Sequence, residues 1–195
     1  MEFVPFPKMA RLSREIIVSE KIDGTNASIC ITAGEAQADD PMVIARLPQV
    51  SGPPLCMYAG SKSRWITPKE DNHGFAAWAV ENAESLFELG EGHHFGEFWG
   101  RGIQRTYSQP IKRFSLFNTT RWAIDRPACC HVVPELYRGE FGQSSIMKAL
   151  AELQKNGSQA APGFMDAEGI VIYHVAGNVG FKKTIKDDDK RKSDV

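Results

Sequence analysis

Short β-like runs dominate this chain, and their order constrains its fold more than any other feature. Strand character recurs at Glu15 to Ser19, Ala27 to Thr32, Cys56 to Gly60 and His93 to Phe98. It returns at Arg113 to Phe117, Val132 to Tyr137, Gly169 to His174 and Gly180 to Thr184. Each run is rich in β-branched or aromatic residues and bounded by Gly, Pro or Asp. Helical spacing is confined to about Gly74 to Leu89, with Phe75, Trp78, Ala79 and Leu86 on one face, and about Ser144 to Gln154, with Ile146, Leu150 and Leu153. Gly90 and Gly157 are the expected stops. Ala36 to Pro54 reads as a long loop broken by a short strand at Met42 to Ala45. Many strands and few helices, without strict alternation, predict an α+β domain of mainly antiparallel sheets with flanking helices. We expect one domain over residues 1–186 and a charged, mobile, solvated tail over 187–195.

A chain of 195 residues with 42% hydrophobic content can bury a substantial core, and its formal charge of −1 shows no global basic excess. Met1 to Ala10 carries two prolines and no apolar core, which is unlike a signal peptide. No apolar run reaches the roughly 20 residues of a membrane helix. A soluble, cytoplasmic protein with no membrane partner is expected. Cys30, Cys56, Cys129 and Cys130 make no C-x-x-C pair, and Cys129-Cys130-His131 lacks zinc-ligand spacing, so reduced structural thiols are the reading. The five histidines form no spaced ligand set and read as structural or surface groups. The tryptophans read as core or rim, with Trp65, beside Arg64, placed where it could touch RNA.

Five short clusters carry chemistry. "EKIDGTN" puts Lys21, Asp23 and Gly24 between two strands. A lysine there is either an exposed residue before an Asp-Gly turn or a nucleophile, activated by desolvation or neighbouring positive charge. "HHFGEFWGRGIQRTY" sets Glu97 in an aromatic strand before a glycine-rich turn, where a carboxylate can accept from a ribose hydroxyl or simply line a sheet edge. "KRFSLFNTTRW" alternates Phe114 and Leu116 with Ser115 and Phe117, so a ring on the second face could stack on a purine. "AEGIVIYH" begins a strand with Glu168, an oxygen donor suited to a metal ion or its water. "GFKKTIK" points Lys182 and Lys183 to opposite faces, with Lys186 close behind.

Each cluster is weak alone, but their order is specific: K-x-D-G, an Arg in Ser-Lys-Ser-Arg, G-E, F-x-x-F, E-G, then a lysine strand. That order resembles the covalent nucleotidyltransferase superfamily of ATP-dependent ligases and capping enzymes. "EKIDGTN" and "GEFWGRGIQRTY" are most similar to the RNA ligase 2-like family, over about Val4 to Lys186. The resemblance implies an ATP-grasp-like nucleotidyltransferase fold around a nucleotide cleft. It implies an ATP-dependent RNA ligase that uses ATP and Mg2+ (or Mn2+) on RNA ends or nicked RNA duplex. Lys21 would take AMP from ATP as a phosphoramidate, and Glu20 would sit at the adenine. Asp23 and Asn26 would shape the metal and phosphate surroundings, and Arg64 would contact the AMP phosphate or the RNA end. Glu97 would bind the ribose and Phe117 would stack on adenine. Glu168 would position magnesium, with Asn26 as a second metal-site residue. Lys182 would neutralise the α-phosphate.

The chain departs from the family pattern in two places. The last motif often reads K-x-K, whereas Thr184 stands at its second position, leaving Lys183 or Lys186 to compensate. Asn118 follows the stacking phenylalanine where many relatives have Asp. The chain ends about ten residues after the lysine strand, without the OB-fold usual in DNA ligases and capping enzymes or the helical domain of many RNA ligases. We therefore expect a minimal ligase that grips RNA by its own surface or through an accessory protein. The rivals are a small DNA ligase, a capping guanylyltransferase and a non-catalytic nucleotide- or RNA-binding module.

Overall fold

The structure, a computed structural model, describes residues 1–34, 40–186 and 188. The tail expected over 187–195 lies outside the described residues apart from Asp188, as does the 36–39 part of the expected loop. The first strands are β1 (Glu15–Lys21), β2 (Thr25–Ala33), β3 (Ala45–Leu47), β4 (Leu55–Gly60) and β5 (Trp65–Ile66). Helices α1 (Phe75–Glu81) and α2 (Ala83–Leu86) follow, then β6 (Gly92–Gly100), β7 (Lys112–Leu116) and the single-turn α3 (Thr119–Trp122). The chain continues through β8 (Cys130–Val132), β9 (Glu135–Glu140), α4 (Gln143–Asn156), β10 (Gly169–His174) and β11 (Val179–Thr184). The result is a mixed α+β protein of mainly antiparallel sheets, as the strand pattern predicts.

The described residues group into two compact units. One joins Met1–Lys21 to Pro134–Val195, and the other is Ile22–Val133. In the first, four strands run in the order β11-β10-β1-β9, all antiparallel. Period-2 alternation in β1 sends Ile16 and Val18 to the face that packs on Leu150 and Leu153 of α4, together with Ile170 and Ile172 of β10. The helix stops at Gly157, whose φ of 79° is a conformation that glycine adopts without a Cβ penalty.

In the second unit the sheet order is β3-β4-β2-β6-β7-β8, with β5 added to β4. Among the described residues only β7 and β8 pair in parallel. Ile29, Ile31, Met57, Phe98 and Phe114 line one face of this sheet and bury Phe75 of α1. The helix expected over 74–89 is broken at Asn82, which belongs to neither α1 nor α2. Its side-chain amide donates to Trp78 O at 2.8 Å, the carbonyl that its own backbone N–H also uses. Such back-bonding offers the chain an alternative to continuing the helix.

The strand expected over Val132 to Tyr137 is two strands, one in each unit. Pro134 lies between them and has no N–H to give a ladder. The short strand expected at Met42 to Ala45 begins at Ala45. The turn α3 was not anticipated. Asn118 caps it by accepting from Arg121 N at 3.0 Å, and Asn and Asp cap about equally well. The Asn-for-Asp departure from the family pattern therefore preserves this local contact.

Asp71 holds the start of α1. Its carboxylate accepts from the backbone N–H groups of Ala76 at 2.8 Å and Ala77 at 2.9 Å, satisfying two donors that have no partner inside the helix. Asp71→Ala is expected to cost about 1–2 kcal/mol, read as a lower urea midpoint with unchanged slope. An unchanged midpoint would show that water replaces the carboxylate at no cost.

Candidate active site

Two sets of candidate residues are built, one on each unit. In the first, β1 ends at Lys21 and β10 begins just after Glu168. Antiparallel pairing sets Lys21 opposite Gly169, and Gly169 opposite Thr184. Lys21 Nζ donates to Glu168 Oε2 at 2.6 Å, joining residues 147 apart in sequence. Their side chains are 20% and 10% exposed, so this is a partly buried ion pair and not a solvated surface lysine. The close entry of β10 needs a glycine. With φ near +159°, a Cβ on Gly169 would lie 2.7 Å from Thr184 Cα.

Register also separates the lysines of β11. Lys182 pairs with Val171, which pairs with Ser19, so Lys182 and Thr184 share the face of Lys21. Lys183 pairs with Ile170 on the opposite face, where its amine donates to Asp188 at 2.7 Å. Lys186 donates to Asp166 at 2.6 Å on an exposed edge. Register directs Lys183 away from the Lys21 face, Lys186 lies beyond the end of β11, and Thr184 itself stands in the row of Lys21.

Glu20 occupies the other face of β1 and is 1% exposed. Its Oε2 accepts from the N–H groups of Gln159 at 2.8 Å and Ala160 at 2.9 Å. Its Oε1 is buried with no hydrogen-bond partner among the described residues. Burial pushes its pKa above the ordinary glutamate value, against the opposing pull of Ser158 and the two backbone donors. A raised acid pKa contributes stability at low pH that is lost as pH rises through the folded-state value. Glu20→Gln, which cannot ionise, is therefore expected to gain stability relative to wild type as pH rises from about 4 to 8. Urea midpoints across that range check this, and a gap that narrows with pH refutes it.

In the second unit the turn after Lys21 packs on β6. Gly24 N donates to Glu97 Oε1 at 3.1 Å, and Asn26 Nδ2 to Glu97 Oε2 at 3.5 Å. A Cβ on Gly24 would meet Phe98 O at 2.5 Å and Glu97 Cγ at 3.0 Å, so only glycine permits this approach. Asp23 is held twice from the loop after β6. Its N–H donates to the Tyr107 hydroxyl at 2.7 Å, and its Oδ2 accepts from Arg105 Nε at 2.9 Å. Reaching it puts Gln104, Thr106, Tyr107 and Ser108 at φ values between 45° and 57°, a conformation that costs about 1–3 kcal/mol per residue. The roles of Arg105 and Tyr107 were not anticipated from sequence. An arginine and a tyrosine beside a glycine-rich turn were the available signal.

Arg64 and Phe117 lie on other segments of the second unit. The Arg64 guanidinium donates to the carbonyls of Trp65 at 3.4 Å and Glu70 at 3.2 Å, bracing its own loop. Phe117 is 41% exposed on the Glu97 face, while Phe114 and Leu116 are buried in the core on the other. Elsewhere in the unit, Cys129 and Cys130 are free thiols with sulfurs 3.9 Å apart. The hydrogen bond with Cys130 lowers the Cys129 pKa to about 6, and raises that of Cys130.

No group of three or more His, Cys, Asp or Glu side chains that could hold a metal occurs among the described residues. Magnesium typically uses one or two carboxylates and completes its shell with water and substrate phosphates. In the first unit Glu168 is a single, nearly buried carboxylate, a donor whose chemistry fits a phosphate-bound cation and not a closed protein cage. No described helix is long and apolar enough to cross a membrane.

The model of the RNA ligase family matches residues 14–186. Among solved structures, a Naegleria gruberi RNA ligase variant with ATP and Mn is similar at TM-score 0.60 and 16% identity, covering 90% of this chain and 51% of that one. A second variant with ATP and Mn gives 0.58 at 16% identity over 94% and 53%. An apo variant gives 0.58 at 16% identity over 88% and 50%. The chain thus spans about half the length of the solved proteins it matches, and shares their fold over that part. No curated protein matches it by sequence.

Proposed function

The chain belongs to the RNA ligase family, and from that premise we propose that it is an ATP-dependent RNA ligase working through AMP held covalently on Lys21. The observation that carries this reading is the partly buried contact between Lys21 Nζ and Glu168 Oε2 at 2.6 Å. A decorative turn lysine would not need a carboxylate brought from 147 residues away. The Naegleria proteins solved with ATP and Mn support ATP and a divalent cation, Mg2+ or Mn2+, as cofactors.

In the first step the neutral amine of Lys21 attacks the α-phosphorus of ATP. An N–P bond forms, the bond to the bridging oxygen breaks, and pyrophosphate leaves. A proton must leave Nζ before attack, while Glu168 holds the amine in position. Lys182, on the same sheet face as Lys21, would meet the α-phosphate as a point charge. Glu97 would accept from the ribose hydroxyls, Phe117 would stack on adenine, and Arg64 would meet a phosphate or the RNA end. Asp23, braced by Arg105 and Tyr107, and Asn26 would hold the turn that follows the nucleophile. Glu168 would hold the cation that offsets phosphate charge, and Asn26 is the second residue we assign to metal binding. AMP then passes to an RNA 5′-phosphate, and the 3′-hydroxyl of the adjoining end displaces it.

The choice of ATP over GTP follows from Glu20. Its unpartnered Oε1 would accept from the exocyclic amine of adenine, whereas guanine offers a carbonyl oxygen at that position. Lys186, engaged with Asp166, would reach a nucleotide only by leaving that carboxylate. RNA ends or a nicked duplex are the expected substrates, handled in the cytoplasm with or without an accessory protein.

Incubation with ATP labelled at the α-phosphate, then denaturing electrophoresis, tests the reading. A covalent AMP–protein band and sealed RNA are expected. No band would leave a non-catalytic binding module, labelling from GTP alone would mean capping chemistry, and sealing of DNA but not RNA would mean a DNA ligase.

A further inference from the structure

The sheet face that carries Glu97 is lined, toward the start of β6, by aromatic rings that the core does not use. Tyr58, Trp65, His93 and Phe95 follow one another in contact. Ring centroids lie 5.6 Å apart for Tyr58 and Trp65, 6.1 Å for Trp65 and His93, and 5.9 Å for His93 and Phe95. The last two pairs are stacked, with interplanar angles of 28° and 12°. Phe117 continues the file, its N–H donating to Phe95 O at 3.0 Å. Register puts Ser28 and Gly60 between Phe95 and Trp65. These small residues leave room for the indole, since a Cβ on Gly60 would come within 3.3 Å of it.

Burial does not explain these rings. Trp65 is 41% exposed and Phe95 59%, while Phe98 and Phe114, on the opposite face of the same strands, are fully buried. A solvated sheet face ordinarily carries polar side chains, and a contiguous exposed aromatic patch marks a binding surface. Its charge setting selects the occupant. Lys62, Arg64 and Lys69 are exposed on the segment around β5, and Arg121 borders a cavity of about 140 Å³ together with His93, Phe95 and Phe117. Of the carboxylates on adjoining segments, Asp40 accepts from the Tyr58 hydroxyl, Asp71 caps α1 and Glu91 takes the backbone N–H of Ala33, while Glu70 is exposed beside Lys69 and offsets part of its charge. Rings beside the exposed Lys62 and Lys69, with the Arg64 and Arg121 guanidiniums held on backbone carbonyls, suit a strand of bases joined by phosphates. Every base has a face to stack, so such a surface tolerates any sequence.

We propose that this file of rings is a stacking platform for single-stranded RNA, on which the unpaired strand adjoining the end to be joined is laid. The surface is continuous with the nucleotide-binding residues, since Phe95 lies two positions before Glu97 on β6 and beside Phe117. The proposal rests on the ligase reading for the identity of the strand. Bases would stack on Trp65 and Phe95, and phosphates would meet Lys62 and Arg64.

The test is fluorescence anisotropy of a short labelled single-stranded RNA with the full chain, beside a blunt RNA duplex and the AMP-labelling assay. Trp65→Ala and Phe95→Ala each remove an exposed ring, and each is expected to weaken single-strand binding about ten-fold or more. Trp65→Phe is expected to restore most of the loss. Lys62→Ala is expected to lower the slope of log affinity against log salt by about 0.7, while the ring variants shift affinity without changing that slope. AMP labelling should be unchanged in all four. Unaltered affinity in both alanine variants overturns the platform. So does a wild type that binds only duplex, or one that binds no RNA and self-associates through Trp65. A chain that never takes AMP yet loses RNA binding in these variants would overturn the ligase reading and leave the platform standing.

Discussion

Lys21→Ala is expected to abolish the covalent AMP adduct and leave the fold in place. In the proposed mechanism the amine itself bonds to phosphorus, so no neighbouring group can restore partial activity by better positioning. The substitution also leaves Glu168, whose side chain is 10% exposed, without its cationic partner. A loss of stability of about 1–3 kcal/mol from an unpaired, largely buried carboxylate therefore accompanies the chemical loss. Lys21→Arg separates the two effects. A guanidinium stays protonated and is no nucleophile, but it can still pair with the carboxylate. Lys21→Arg should recover most of the urea midpoint and none of the labelling. An adduct in either variant would put the nucleophile elsewhere, and the lysines of β11 would be the first to test.

Glu168→Ala is expected to slow AMP loading by about 10²- to 10³-fold, because a misplaced nucleophile and lost charge stabilisation each carry penalties of that order. Glu168 Oε2 receives the Lys21 amine at 2.6 Å, and the proposed mechanism also gives it the phosphate-bound cation. Glu168→Gln keeps an oxygen that can accept from Lys21 but carries no charge. If positioning is its main task, Gln should retain far more activity than Ala. If charge dominates, the two should be similarly slow, and raised magnesium should recover little in either. Single-turnover loading rates measure this, and near-normal rates in both would remove Glu168 from the site.

Much of the fold was legible because its signals are local. Alternation in Glu15–Lys21 and Gly169–His174, with turn residues at their ends, defines strands whatever they later pair with. The failures are equally local in cause. Asn82 bonds back to Trp78 and ends a helix that side-chain spacing alone would continue. Pro134 divides one β-like run between two sheets.

The candidate site divides differently. Its motifs could be read in order from the chain, since Lys-x-Asp-Gly, Gly-Glu and Glu-Gly are contiguous signals. Gly24 and Gly169 stand where a close approach forbids a Cβ, which is why those motifs carry glycine. Geometry between motifs was not available in the same way. Lys182 and Lys183 are equivalent in the sequence, and only the pairing of β10 with β11 puts Lys182 on the face of Lys21 and Lys183 on the other.

The amino-acid order by itself determined which segments are extended, where turns must fall and which side chains could take part in nucleotide chemistry. Tertiary structure alone decided that Glu168 meets Lys21, that Arg105 and Tyr107 fasten Asp23, and that the rings of Phe95 and Trp65 lie uncovered on one sheet face. The reason is physical. Alternation repeats every two residues and is written locally, whereas the register between strands far apart in the chain is settled only when their buried faces pack together.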